Sequence, residues 1–260
     1  MMNKKQTLVL GTLLSTALVG CGPEERRVEG QAVDFNGAKV TTWATLDKEG
    51  VVKEVGFTLP YTSVENAPAG SGNEQPVILV ADFPKEVRET TYIDHFEFDW
   101  MPTGHEPARY MTPHFDFHFY GVDKATTAAI DCMNVAQPDP ADLPEGWVPP
   151  VPPDLPDPKL ACAPNMGYHS MPATEFDANG PKAGVFDKVM LAGFYDKKFI
   201  FIEPMVTKAE LEKKQGFTLP VPQPKTSLGR TTLYPTSFKA TFDADANAYE
   251  FVLGDFKSMQ

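Results

Sequence analysis

Over Pro113-His114-Phe115-Asp116-Phe117-His118-Phe119-Tyr120 the side chains change character at every step. A period of two puts His114, Asp116, His118 and Tyr120 on one face of an extended strand and Phe115, Phe117 and Phe119 on the other. One face is greasy and the other is rich in potential ligands, so the segment belongs in a sheet that buries its rings. An upstream stretch repeats the pattern, with His95, Glu97 and Asp99 alternating with Phe96, Phe98 and Trp100. Paired as a hairpin through Met101 to Thr112, the two are expected in a register that sets His95 opposite His118, Glu97 opposite Asp116 and Asp99 opposite His114.

Similar β-branched and aromatic runs recur at Ala38–Leu46, Val51–Leu59, Pro76–Phe83, Val185–Tyr195, Lys198–Glu203, Ser237–Asp243 and Tyr249–Leu253. Hairpin-length turns separate several of them: Asp47–Gly50, Asp196-Lys197 and Asp243–Ala248. The expected fold class is mainly β, with antiparallel sheets as a sandwich or barrel, one short helix near 207–215 and a long proline-rich loop. That helix is signalled by a capping box at Thr207-Lys208-Ala209-Glu210 and by Gly216 as a left-handed C′ residue.

The loop is Gln137 to Lys159, where nine prolines deny the chain ladder donors and favour an extended surface path. Cys132 and Cys162 flank it. An oxidising compartment would join them and staple the base of the loop; two unpaired thiols are the alternative.

Export is the expectation from the first residues. Lys4 and Lys5 precede an apolar stretch from Leu8 to Val19, too short to span a bilayer, and Leu18-Val19-Gly20-Cys21 resembles the bacterial lipobox. The reading is a signal peptide over 1–20, lipid on Cys21 that ties the protein to a membrane, a charged tether over 21–29 and a single β-rich domain over 30–260. An ordinary secretory signal with a chance cysteine is the competing reading. Gly22 lacks the aspartate associated with inner-membrane retention, which favours the outer membrane in a cell that has one. The formal charge of −12, or −14 without a leader holding two lysines and no acid, argues against nucleic acid as a partner.

No nucleophile elbow, phosphate loop, dinucleotide glycine motif or H-E-x-x-H pattern occurs. Asp243–Asn247 opens like a calcium loop, but Ala248 replaces the turn glycine and Gly254 the bidentate glutamate, so it reads as a polar hairpin tip. Chemistry is left to the histidines. Of five, His95, His105, His114 and His118 fall within 24 residues, and His169 follows the second paired cysteine. Residues four apart on a strand lie about 13 Å apart, so His114 and His118 cannot share an ion without a bulge. The candidate site is therefore His105, His114, His118 and His169, with zinc the preferred ion and Asp116 a ligand or an orienting acceptor. A solvated face carrying cross-strand charge pairs is the plainer alternative.

Several blocks together resemble a bacterial family of unknown function: Thr42–Asp47, Asp94–Trp100, Gly104-His105-Glu106-Pro107, Pro113–Tyr120, Met166-Gly167-Tyr168-His169, Glu203–Thr207 and Tyr234-Pro235-Thr236. The family's structurally known member is a thermophile protein under sigma-E and anti-sigma-E control that forms a homodecameric ring. The resemblance implies a β-rich fold, a homo-oligomer and family histidine positions at His105, His114, His118 and His169, but no reaction. Three functions follow for testing: a non-enzymatic metal-binding envelope lipoprotein, a metal-dependent hydrolase with Glu106 or Asp116 as general base, and a metal-free β module that binds a ligand or partner.

Overall fold

The computed structural model describes residues 25–68, 70, 75–178 and 180–260. Cys21 and the leader lie outside them. Two antiparallel sheets carry the fold. In spatial order the six-stranded sheet runs Arg26–Phe35, Ala38–Leu46, Val52–Pro60, Ala248–Gly254, Ser237–Asp243, Phe217–Thr218. The seven-stranded sheet runs Val77–Asp82, His95–Met101, His114–Tyr120, Lys198–Thr207, Lys188–Tyr195, Gly167–Ser170, Cys162–Ala163. Aromatic rings join the sheets: Phe57 of the first lies 4.4 Å from Phe96 and 4.8 Å from Phe117 of the second, and stacks on Phe251 of its own sheet at 4.7 Å. Offset and edge-to-face pairs of this kind add to the burial of apolar area, which is the main force holding the layers together. The mainly β, sandwich-type architecture expected from the runs is present.

The turns obey local chemistry. Asp196 and Lys197 both take positive φ, the geometry that matches the twist of a two-residue hairpin. The Asp243 carboxylate accepts from the amides of Asp245 and Ala246, so the calcium-like motif caps its own hairpin.

Four expectations need correction. The paired strands are slipped by two residues: His95 faces Tyr120, Glu97 faces His118, Asp99 faces Asp116 and Met101 faces His114. The expected register would have set Pro113 against Trp100, inside the ladder, where proline has no N–H to give; pairing starts instead at His114. Arg26–Glu29 is strand and not tether, because Arg27 lies 4.0 Å over the Trp43 ring and donates to Thr58 Oγ1 at 2.7 Å while Val28 packs against the core. The strand from Lys198 continues through Pro204 to Thr207; its ladder with His114–Tyr120 skips Glu203 and Pro204 and resumes at Met205. The helix is shorter than expected, Lys208–Leu211, and Lys214 takes the positive φ in place of Gly216. Only half of its capping box forms: Thr207 Oγ1 accepts from the Glu210 amide, while the Glu210 carboxylate turns to Lys188. Three further short helices, Tyr61–Glu65, Lys85–Thr90 and Lys124–Ala128, fill connections.

Cys132 and Cys162 are joined, with Cα atoms 5.7 Å apart. The proline-rich segment they close is irregular, as expected, but it does not merely trail over the surface. Leu143 is buried in the main core, Trp147 Nε1 donates to the Met190 carbonyl, and the Val148 amide donates to Met171. Its first part is thus anchored on the inter-sheet core, and from Val148 to Leu155 it lines one cavity with His105, His118 and His169.

Candidate metal centre

Most of the outer face of the seven-stranded sheet is buried. His114, Asp116, His118, Asp99 and Glu203 are each at most 1% exposed, which removes the solvated-face reading. Burying so many ionisable groups without partners costs several kcal/mol each by order of magnitude, so the fold must hold them for something.

Two sets of two histidines and one carboxylate assemble here, each with its donor atoms within 4.8 Å of one another: His105, His114 and Asp116, then His118, His169 and Glu203. The expected residues His105, His114, His118, His169 and Asp116 fall into these two groups, with His114 and His118 kept apart as the strand repeat requires. His95 joins neither set. It stacks on Tyr120 at 4.7 Å, with Nδ1 3.1 Å from the Asp94 carboxylate.

In the first set, His105 comes from the loop between the paired strands. Gly104 at φ +74 makes that loop possible, since a Cβ there would sit 2.1 Å from the Tyr110 carbonyl oxygen. His114 Nδ1 lies 2.7 Å from the Thr112 carbonyl and His105 Nδ1 lies 2.7 Å from the Glu106 carbonyl. As N–H donors to these oxygens, the Nδ1 atoms fix both rings with Nε2 toward Asp116, the arrangement found behind metal-bound imidazoles. The separations are 3.1 Å for His114 and 3.5 Å for His105.

The second set spans four strands. The pairs Ile202–Phe119 and Met205–Asp116 put Glu203 level with His118 on the neighbouring strand. His169 lies two strands beyond Glu203 and faces Gly193, where the Phe201 ring occupies the space a side chain would need. Phe201 therefore reaches 5.0 Å from both imidazoles and packs between them and Gly193. Glu203 oxygens lie 3.4 Å from His118 Nε2 and 3.5 Å from His169 Nε2. On the other side of His118, Asp99 stands 3.6 Å from Nδ1, in the position of an orienting carboxyl; Glu97 completes a third group with Asp99 and His118.

Few of these contacts are hydrogen bonds. His114 Nε2, Asp116 Oδ1, both ring nitrogens of His118, both Asp99 oxygens and Glu203 Oε2 are buried with no hydrogen-bond partner. Buried polar atoms are almost always partnered, and seven exceptions in one place call for a missing species. A zinc ion with bonds of about 2.0–2.2 Å holds tetrahedral donor atoms about 3.3–3.6 Å apart. In each set the two histidines face different oxygens of the carboxylate at 3.1–3.5 Å, close to such edges, and the sets can hold metal ions.

Electrostatics agree. Burial pushes His118 down to about 3, reinforced by His169, and burial with His105 takes His169 down to about 4. Both rings are therefore neutral at pH 7 and keep a lone pair for a metal. Glu203 is driven well above the usual carboxyl range by burial, then by Asp116, Asp99 and Glu97; Asp99 is raised by burial, Glu97 and Asp116. Burial alone would raise Asp116, but His114 and His105 outweigh it and hold its carboxyl well below the usual range. Conversely burial would lower His105, and contact with Asp116 and Glu106 raises it overall.

Sequence reasoning missed Glu203. Its signal was a single carboxylate inside Lys198-Phe-Ile-Phe-Ile-Glu203-Pro-Met-Val-Thr207, an otherwise apolar strand.

No family model, curated protein or solved structure matches the chain. The resemblance rests on its sequence blocks alone.

Proposed function

We propose that this is an exported, lipid-anchored metal-binding protein that carries one divalent ion, zinc by preference, in each of the two sets. The observation that supports it most is the array of buried, unpartnered nitrogen and oxygen atoms on His114, Asp116, His118 and Glu203, gathered within 4.8 Å of one another in each set. The lipobox-like Leu18–Cys21 supports the anchor, and the homo-oligomer implied by the family resemblance belongs to the same proposal. Among the described residues no helix is long and apolar enough to cross a membrane. Zinc titrated calorimetrically into metal-stripped protein is expected to bind at two equivalents. Asp116→Ala removes one equivalent and Glu203→Ala the other; a wild type that takes up no zinc rejects the reading. Globomycin-sensitive processing and loss of membrane association in Cys21→Ser test the anchor.

Hydrolysis by a metal-bound hydroxide is the second reading, favoured by one observation: each set supplies three protein ligands and residues of both line a cavity with room for water beside a bound ion. Asp116 is taken up as a ligand here, which leaves the exposed, cavity-lining Glu106 as general base. Zinc-dependent cleavage of activated esters that disappears in Glu106→Gln supports this reading, and no cleavage in zinc-loaded protein removes it.

A further inference from the structure

Three of the buried, unpartnered atoms are not used by either set: both carboxylate oxygens of Asp99 and Nδ1 of His118. Strand geometry gathers them. Glu97 stands opposite His118 in the ladder and Asp99 follows two residues on, so all three side chains leave the same face of the sheet. Donor atoms of Glu97, Asp99 and His118 lie within 4.8 Å of one another, with Asp99 Oδ2 3.6 Å from Nδ1 of His118. The other ring nitrogen, Nε2, faces Glu203 at 3.4 Å, so the imidazole presents one nitrogen to each group.

No protein cation answers these two carboxylates. Among the described residues neither Glu97 nor Asp99 has a lysine or arginine partner; Glu97 has a long contact from the Tyr120 hydroxyl at 3.4 Å. His95, next on the same face, is engaged by Asp94 at 3.1 Å. A proton on Nδ1 donated to Asp99 would satisfy one of its oxygens and leave the second, with Glu97, unanswered. Two buried carboxylates side by side are costly without a cation, and a single bound ion relieves both.

Building on the metal reading above, we propose that Glu97, Asp99 and Nδ1 of His118 form a third site, for a hard divalent ion of the manganese(II) class, and that His118 bridges it to the ion of the second set. Nδ1 bonds the ion and gives its proton to solvent. Two carboxylates to one imidazole suit manganese, whereas the histidine pairs of the other sets suit zinc. Formal charge on the face stays small. With zinc on both sets, four positive charges meet Glu97, Asp99, Asp116 and Glu203; the third ion adds two and the released proton removes one, before the cavity-lining Glu106 is counted. Neither Glu97 nor Asp99 lines the cavity. Glu97, 8% exposed and opposite Val80 of the outermost strand, is the member of the group that reaches solvent, so this ion enters from the sheet edge.

The test uses full-length protein loaded with two equivalents of zinc and freed of excess metal. Manganese(II) is titrated in, and the unbound ion is read from its solution EPR signal. One further equivalent is expected to bind with both zinc ions retained, since zinc outcompetes manganese at shared ligands. Glu97→Gln is expected to hold two zinc ions and to weaken manganese by more than the roughly 10–100-fold that loss of an outer-sphere partner costs. Asp99→Asn, which covers the case that the first variant misfolds, is expected to lose manganese likewise. Three results each overturn the inference without touching the metal reading: no manganese uptake by zinc-loaded wild type, release of one zinc per manganese bound, or uptake unchanged in both variants, as for an adventitious ion on an acidic surface. Failure to take up zinc at all overturns the metal reading and this inference with it.

Discussion

Glu203 and Glu210 lie seven residues apart, at 1% and 8% exposure, and their surroundings have little else in common. Glu210 is closed off by cations: Lys188 Nζ at 2.6 Å on one oxygen and Lys213 on the other. Burial would raise its carboxyl, but the two lysines outweigh it and hold it below the usual range. Glu203 has no lysine or arginine partner among the described residues. It faces two imidazoles, keeps one oxygen without a hydrogen bond and is driven well above the usual range. The same chain that pairs one buried glutamate with ammonium groups offers the other only nitrogen lone pairs. A cation supplied from outside completes the second arrangement, and the first has no room for one.

Ways to break this contrast can be ordered by size. Removing the staple over the Glu203 cavity, with Cys132→Ser and Cys162→Ser together, is expected to cost about 3–4 kcal/mol in denaturant unfolding, since the closed segment spans 30 residues. Zinc at a hundredfold excess over its dissociation constant is expected to stabilise the wild type by about 2.7 kcal/mol per site, and Glu203→Gln loses the share belonging to its set. Glu210→Gln keeps the full zinc response.

In chelator the two glutamates should respond with opposite signs. Glu203→Gln is expected to stabilise the metal-free protein by about 1 kcal/mol, because it replaces a buried carboxyl without a cation. Glu210→Gln is expected to destabilise at pH 7 by about 1 kcal/mol, because it breaks a charge-assisted pair. The pH dependence follows from the lowered carboxyl of Glu210. Its contribution is present above the unfolded-state value of 4.5 and disappears as pH falls through the lower folded-state value, so mutant and wild type converge in acid. A difference that grows on acidification contradicts the pairing.

Local patterns carried most of the fold. Ala38–Leu46 and Ser237–Asp243 are strands over the same residues that the alternation marks, because hairpin turns at Asp47–Gly50 and Asp243–Ala248 pin their ends. The first strand, Arg26–Phe35, was hidden because its burial depends on Arg27 stacking on a Trp43 that no local pattern connects to it. The ligand-rich face of His114–Tyr120 was legible from a period of two, whereas its completion into two sets depended on the loop residue His105, on His169 and on Glu203 from 85 residues further along. The cover was equally non-local. A run of prolines shows what cannot be a strand, and only Leu143, Trp147 and the disulfide show where such a run is laid.

The central claim is that cations stand between these imidazoles and carboxylates. Diffraction from crystals of protein purified without an affinity tag and soaked in one to two equivalents of zinc, with data collected on both sides of the zinc absorption edge, tests it most directly. The account predicts two anomalous peaks per chain, one bounded by His105, His114 and Asp116 and the other by His118, His169 and Glu203. Featureless anomalous density there, with protons or waters bridging Asp116 and Glu203 to their histidines, would contradict it.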